Sequence, residues 1–404
     1  MLINKRTLDQ KVLIILLALI FIIDVSRGLI LPSLVLYLKH KYHLPVKDIG
    51  LCISASLAVS MFFSMYAGYL NDKLPPSKIL FLSMCFYAPS CLAILFSSNV
   101  FFVFISLATY NSAFQVFIIS LKKNLSDLNM SKKFTHVYTA QNIGFTIGCA
   151  WYAFSPKENF SLPFIFSTIL LFISLGITCF CYFKKIFPTT HPTHSTSISD
   201  INLAIRKDKS LLLFTLGCFF LGMVYKESQQ YLSMYLVNFF SVIEARIILS
   251  KLMLINTIMI VLFQIFFSRN NSRYELIYRK LILSIIFLAI GIAGFAVSNV
   301  NVFYMELAMA VFSLGELIIV PIEFLFIDYI APKHLRGIYY GVQNLSNISF
   351  LVAPTLFGFS IYYIGPNSVF YLLLLFSFIG FLLFTWGHLK KISIKRECMP
   401  LGNK

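Results

Sequence analysis

Residues 312–328 read FSLGELIIVPIEFLFID, an apolar run interrupted by two carboxylates and a proline. Together with the apolar residues that precede it from 302, it is long enough to cross the roughly 30 Å hydrocarbon core of a bilayer as one helix. It nevertheless carries Glu316, Pro321 and Glu323 along its middle and inner half. At about 100° per residue the two carboxylates, seven residues apart, differ by about 20° around the helix and stand about 10 Å apart along it, so they share one face. Pro321 removes one backbone donor and strains the hydrogen-bond ladder near Leu317, which a membrane helix tolerates where neighbouring helices or water satisfy the freed group. A kinked acidic stripe at membrane depth predicts a polar cavity.

The rest of the chain is of the same kind. Its 404 residues are 58% hydrophobic and 12% charged, with 43 phenylalanines, whereas a soluble domain is about one quarter charged. Twelve apolar runs are long enough to cross a membrane: near 12–37, 48–70, 78–97, 100–121, 134–154, 162–183, 211–238, 248–268, 281–298, 302–327, 338–361 and 367–389. The fold class this predicts is an all-α membrane protein of twelve transmembrane helices. Lys5 and Arg6 ahead of Val12–Ile23 imitate a secretory signal, but the apolar run resumes after Arg27 without a small-residue cleavage site, so it reads as the first span. Eight cysteines fall mostly inside spans at irregular spacing, as small buried residues do and disulfide frameworks or zinc sites do not.

Orientation follows from charge. With the N-terminus inside, 25 of the 33 lysines and arginines lie on the inner side and six on the outer side, namely Lys39, Lys41, Lys47, Lys157, Arg246 and Lys251. Both termini are therefore expected in the cytoplasm. The net charge of +17 is mostly this bias, so it reads as topology and contact with membrane lipids rather than nucleic-acid binding.

Charges inside spans are the candidates for function, because each costs about 2.5–3.5 kcal/mol at the bilayer centre on insertion scales and such residues usually line a pathway. Asp24 and Arg27 in DVSRGLILP are three residues apart and can pair on one helix face. The seventh span carries Tyr225, Lys226, Glu227, Gln229 and Gln230; Lys226 and Glu227 are adjacent, about 100° apart, and are expected to pair with different helices. Across the spans Asp24, Glu227, Glu316 and Glu323 outnumber Arg27 and Lys226. Low dielectric disfavours an ionised carboxylate without a cation, so the surplus carboxylates are able to take up and release protons. Asn111 and Gln115 share a face of the fourth span, and Gln141, Asn142, Gly144 and Gly148 lie in the fifth, where glycines four apart favour close helix packing.

Residues 184–210 are the longest polar stretch and read as a linker between an N-terminal bundle, 1–183, and a C-terminal bundle with a cytoplasmic tail, 211–404. Within the linker Ser199 is placed to cap a short amphipathic helix running to Lys209, and His191 and His194 read as solvated loop residues rather than metal ligands. An internal echo supports two halves: Tyr138, Gln141 and Asn142 match Tyr340, Gln343 and Asn344 at an offset of 202, half the chain. There is no Gly-x4-Gly-Lys-Ser/Thr phosphate loop, and all seven histidines fall in loops or at span ends, so neither a nucleotide engine nor a histidine-based membrane enzyme is expected. No cofactor and no metal are expected.

The end of the second span reads Gly68-x-x-x-Asp72-Lys73, followed by Lys78. This resembles the loop between helices 2 and 3 of the major facilitator superfamily, departing from it at Pro75, where that family prefers glycine. The string Leu314-Gly315-Glu316-x4-Pro321, then Pro332, Arg336-Gly337 and Tyr340-Gly341, resembles the drug:proton antiporter branch, especially bacterial multidrug exporters of the lactococcal type. The resemblance implies two pseudo-symmetric six-helix bundles around a midplane site, a latch role for Gly68, Asp72 and Lys73, and a part for Glu316 in handling protons and cationic drugs. The expectation is a monomeric secondary transporter of a bacterial inner membrane that exports an amphiphilic or aromatic small molecule, such as a drug or siderophore-like metabolite, in exchange for protons. Glu316, Asp24, Glu323 and Glu227 are its proton-coupling candidates, and Arg27, Asn111, Gln115, Lys226 and Gln230 its cavity candidates. The competing readings are a proton-coupled importer of a small nutrient and a transport-silent sensor or scaffold.

Overall fold

In hydrocarbon a segment must satisfy its backbone hydrogen bonds internally, so runs as apolar as these form helices. The computed structural model describes residues 2–126, 128, 133–156, 158–187, 208–267, 274–330, 339 and 342–397, and among them there is no strand. The helices are α1 (Leu2–Tyr42), α2 (Val46–Lys73), α3 (Pro76–Phe96), α4 (Val100–Ser126), α5 (Lys133–Phe154), α6 (Leu162–Phe183) and α7 (Lys209–Tyr225). They continue as α8 (Ser228–Leu236), α9 (Val242–Phe267), α10 (Tyr274–Val297), α11 (Val302–Ile330), a 3₁₀ turn (Asn344–Asn347), α12 (Ile348–Tyr363) and α13 (Ser368–Glu397). Ten are long and apolar enough to cross a membrane, and α7 with α8 forms an eleventh such span, bent by 40°. The more polar α5, with 22 residues, is about 33 Å long and occupies the predicted fifth span.

Several boundaries differ from the sequence reading. The predicted seventh span, 211–238, is broken at Lys226–Glu227 between α7 and α8. The predicted eighth begins earlier, at Val242, which brings Arg246 out of the expected outer loop and into α9. Asp72 and Lys73 belong to the last turn of α2, not to a loop, because nothing before Leu74 and Pro75 interrupts the helix. Pro321 lies inside α11, as the predicted tenth span had it, and that helix runs on to Ile330 rather than 327. Ser199, His191, His194, Pro332, Arg336, Gly337, Tyr340 and Gly341 lie outside the described residues.

Two compact units divide the chain: 1–195 with 232–254, and 196–231 with 255–404. The first thus takes in a piece of the expected C-terminal half. Within it α1 packs on α5 and α6, α3 on α4 and α6, and α2 on α4. The α1–α5 crossing is glycine-dependent. A Cβ on Gly148 would strike the Val25 carbonyl oxygen, one on Gly28 the Phe145 carbonyl oxygen, and one on Gly144 would lie 2.5 Å from the Phe21 carbonyl oxygen. Backbone cannot swing aside as a side chain can, so only hydrogen at these positions permits the contact that sets α5 beside α1. In the second unit α10 packs on α11 and α13, and α13 on α7. There a Cβ on Gly315 would come 2.8 Å from the backbone nitrogen of Leu288 and the carbonyl oxygen of Ser284, so the residue preceding Glu316 fixes α11 against α10.

The start of α7 shows how a polar stretch becomes a helix end. Asp208 Oδ1 accepts from the backbone amides of Ser210 (2.9 Å) and Leu211 (3.2 Å), satisfying donors that have no partner within the helix. Asp208 Oδ2 accepts in turn from the Tyr339 hydroxyl at 2.9 Å, tying this cap to the chain beyond α11.

Candidate functional site

In the first unit the site is built on α1. Asp24 and Arg27 are one turn apart, and Arg27 Nη1 donates to Asp24 Oδ1 at 3.0 Å, with Asp24 almost completely buried. The guanidinium also lies over the Phe114 ring of α4, 4.0 Å from its centroid, which suits an arginine partly stripped of water. Gln141 of α5 faces the same carboxylate. Around the pair stand the buried tyrosines Tyr87 of α3 and Tyr110 of α4, their ring centroids 4.7 Å apart, and Ser26, which is hydrogen-bonded to Ser167 of α6. Asn111 donates to Ser56 Oγ of α2 at 3.0 Å, while Gln115, one turn on, is half-buried. The side chains of Gly68, Asp72 and Lys73 at the end of α2 are not among those described.

The second unit carries two acidic centres on α11. Glu323 is buried, accepting from the Tyr225 hydroxyl at 3.0 Å and from Gln343 Nε2 at 3.4 Å, with Lys226 Nζ 3.7 Å away. Lys226 also donates to Asn347 Oδ1 at 3.4 Å and lies over the rings of Tyr225 and Phe350. Its partner is therefore on another helix and not its neighbour Glu227, which is buried at the break between α7 and α8. Gln230 is half-buried beyond that break, and its Oε1 has no hydrogen-bond partner among the described residues.

Glu316 keeps different company. Asn256 Nδ2 of α9 donates to its Oε2 at 2.7 Å and to Ser313 Oγ at 3.1 Å. Among the described residues no lysine or arginine forms an ion pair with it. The seven-residue spacing on α11 thus sends Glu316 to α9 and Glu323 to α7 and Gln343, and no described partner is shared.

The internal echo has a structural counterpart. Gln141 and Gln343, matched at the 202-residue offset, each face a buried acid that already has a cation: Asp24 with Arg27, and Glu323 with Lys226. Sequence reading missed Asn256, Asn347, Tyr87 and Tyr110. Asn256, a lone amide in the apolar run LINTIM, carried a signal of the kind used for Asn111. It also missed Arg246. That side chain is fully buried, donating from Nη2 to Ser155 Oγ at 2.8 Å and from Nη1 to the Asn159 carbonyl at 3.1 Å, with the Tyr152 ring 4.9 Å away.

Residues 16–347 match the family model described as Major Facilitator Superfamily. The chain is 28% identical over 370 residues to the uncharacterized MFS-type transporter YdeE of Escherichia coli, covering 89% of this chain and 91% of that one. It is 22% identical over 388 residues to the uncharacterized MFS-type transporter YqjV of Bacillus subtilis, covering 92% and 93%. Among solved structures it resembles the nucleoside transporter NupG, with a TM-score of 0.67 at 17% identity over 93% of this chain and 98% of that one. It also resembles a POT family transporter in complex with a thioalcohol-conjugated peptide, with a TM-score of 0.74 at 14% identity over 96% and 97%. These likenesses show the fold, and the family match shows a multi-pass membrane transporter rather than an enzyme: the chain belongs to the Major Facilitator Superfamily.

Proposed function

We propose that the chain is a proton-coupled exporter that exchanges a cytoplasmic amphiphilic or aromatic small molecule for protons by alternating access, with Glu316 carrying the proton. The observation behind this is the partner set of Glu316. Asp24 has Arg27 and Glu323 has Lys226, whereas Glu316 has the neutral Asn256 amide. Protonating an acid inside an ion pair strands its cation, while protonating one with neutral partners strands nothing. Of these three, Glu316 is therefore the acid whose charge changes at least cost, and Asp24, Glu323 and Glu227 form the remaining proton-coupling set.

Arg27, Asn111, Gln115, Lys226 and Gln230 are assigned to the substrate cavity. In the first unit Phe114 lies beside Arg27 and in the second Phe350 lies beside Lys226, and such cation–aromatic surroundings suit a substrate with an aromatic surface. Gly68, Asp72 and Lys73 are assigned to gating, on their resemblance to the family pattern. The proposed organisation is a monomer with bundles 1–183 and 211–404 joined by a linker and both termini cytoplasmic, in a bacterial inner membrane. The excess of inner-side lysine and arginine and the bacterial relatives support it.

The test is uptake of a panel of aromatic amphiphiles into inverted membrane vesicles. Accumulation that depends on an acidic vesicle interior is expected. Accumulation only in right-side-out vesicles with an acidic exterior would instead identify an importer.

A further inference from the structure

Three side chains fix the surroundings of Glu316, and their donors can be assigned one by one. The Ser313 hydroxyl donates to the Met309 carbonyl at 2.7 Å, so its single proton is committed and its oxygen is left to accept. Asn256 Nδ2 supplies that bond at 3.1 Å and bonds Glu316 Oε2 at 2.7 Å, which uses both hydrogens of the amide nitrogen. Rotating the amide to offer its oxygen to Glu316 would break the bond to Ser313. The amide is therefore locked in the orientation that recognises an acceptor. Glu316 Oε1 makes no hydrogen bond among the described residues. Among the described residues, the titratable groups that interact with Glu316 through space from packed elements are the Tyr225 and Tyr231 phenols, while Lys226 is engaged by Glu323.

We infer that Asn256 is a positioning residue that holds Glu316 Oε2 as an acceptor, so that the exchanged proton is taken up and released at Oε1. A proton on Oε2 would point at an N–H donor; on Oε1 it leaves the Asn256 bond intact, with Oε2 becoming the carbonyl oxygen of the acid. The same bond favours the ionised form, since a donor binds a carboxylate more strongly than a carboxylic acid. Asn256 thereby sets the pH range over which Glu316 loads. This deepens the reading of Glu316 as proton carrier and rests on it.

The experiment is an infrared difference titration of the purified full-length protein in lipid, following the carboxylic-acid C=O band that Glu316→Gln abolishes. No transported substrate is needed. In the wild type the band should appear on acidification at the reduced frequency of a hydrogen-bonded carbonyl. In Asn256→Leu it should rise in frequency, and its midpoint should move to higher pH by about one unit, a tenfold gain in proton affinity on losing one donor to a charged group. Asn256→Thr keeps a hydroxyl donor and should recover part of both changes. Ser313→Ala unlocks the amide and should shift the midpoint in the same direction by less. An unmoved midpoint and frequency in whichever of these variants fold overturns the role of Asn256 while leaving Glu316 as carrier. A wild-type band absent at every pH overturns both readings.

Discussion

Asp24 and Arg27 show how a charge is kept inside an apolar helix: each is the other's partner one turn away, and the guanidinium's second face is covered by Phe114. Removing Arg27 leaves Asp24 buried and uncompensated, which costs about 3–5 kcal/mol, while removing Asp24 leaves the half-buried Arg27 without its counter-charge, at a smaller cost. Asp24→Asn and Arg27→Leu should each lower the unfolding temperature of purified protein more than the charge-swapped double variant does. Equal stability of all three would mean the pair carries no weight. Arg246 is a second case. Two of its side-chain bonds leave from different nitrogens of a planar fork, to Ser155 Oγ and the Asn159 carbonyl. An ammonium cannot reproduce that geometry, so Arg246→Lys should destabilise nearly as much as Arg246→Leu, by about 2–4 kcal/mol, as read by thermal unfolding in detergent. At this scale the charged members of the site were legible because a charge in an apolar run is conspicuous. Their partners were not: Glu316 and Asn256 are 60 residues apart, and Lys226 and Asn347 are 121 apart, distances over which no local spacing rule speaks. Arg246 was misplaced because four polar or charged residues follow one another closely around the start of α9, which made its first turn read as loop.

Among the elements, the α1–α5 crossing is the contact least able to accommodate change. Gly148→Leu puts a side chain where the Val25 carbonyl stands and should separate the helices, destabilising by at least the 1–3 kcal/mol or so typical of overpacking. Gly176→Ala on α6, where a Cβ meets nothing within 4 Å, is the control and should not lower the unfolding temperature, since alanine favours helix over glycine by about 0.5–1 kcal/mol. This packing was readable in advance from glycines four apart in QNIGFTIGC, because the spacing itself states the requirement. The break at Lys226–Glu227 was not readable. No proline or glycine marks it, and it shows only once Lys226 is seen engaged with Glu323 and Asn347. The end of α2 was read one turn short. With Asp72 in that last turn, its proposed latch role concerns a helix end, where a carboxylate is disfavoured by the helix dipole unless another group offsets it. Asp72→Asn should therefore alter the accessibility of cysteine probes placed on the two sides of the membrane while leaving substrate affinity within about twofold; the reverse pattern would assign this turn to recognition.

For the molecule as a whole, the proposed cycle needs one group that alternates between ionised and neutral as protons cross. A sequence of 58% hydrophobic residues with repeated spans announces a carrier-like fold, and the Gln141 and Gln343 echo announces duplication. It does not announce which acid moves the proton, because that depends on which acids find cations after folding. Glu316 is bonded to Asn256, while Asp24 and Glu323 each stand beside a cation. The most direct measurement compares wild-type protein with Glu316→Gln in liposomes, for a substrate drawn from the panel. It records both transport driven by an imposed pH gradient and substrate exchange without one. The variant should lose gradient-driven accumulation and retain exchange. Gradient-driven transport in Glu316→Gln equal to that of the wild type would contradict proton carriage by Glu316.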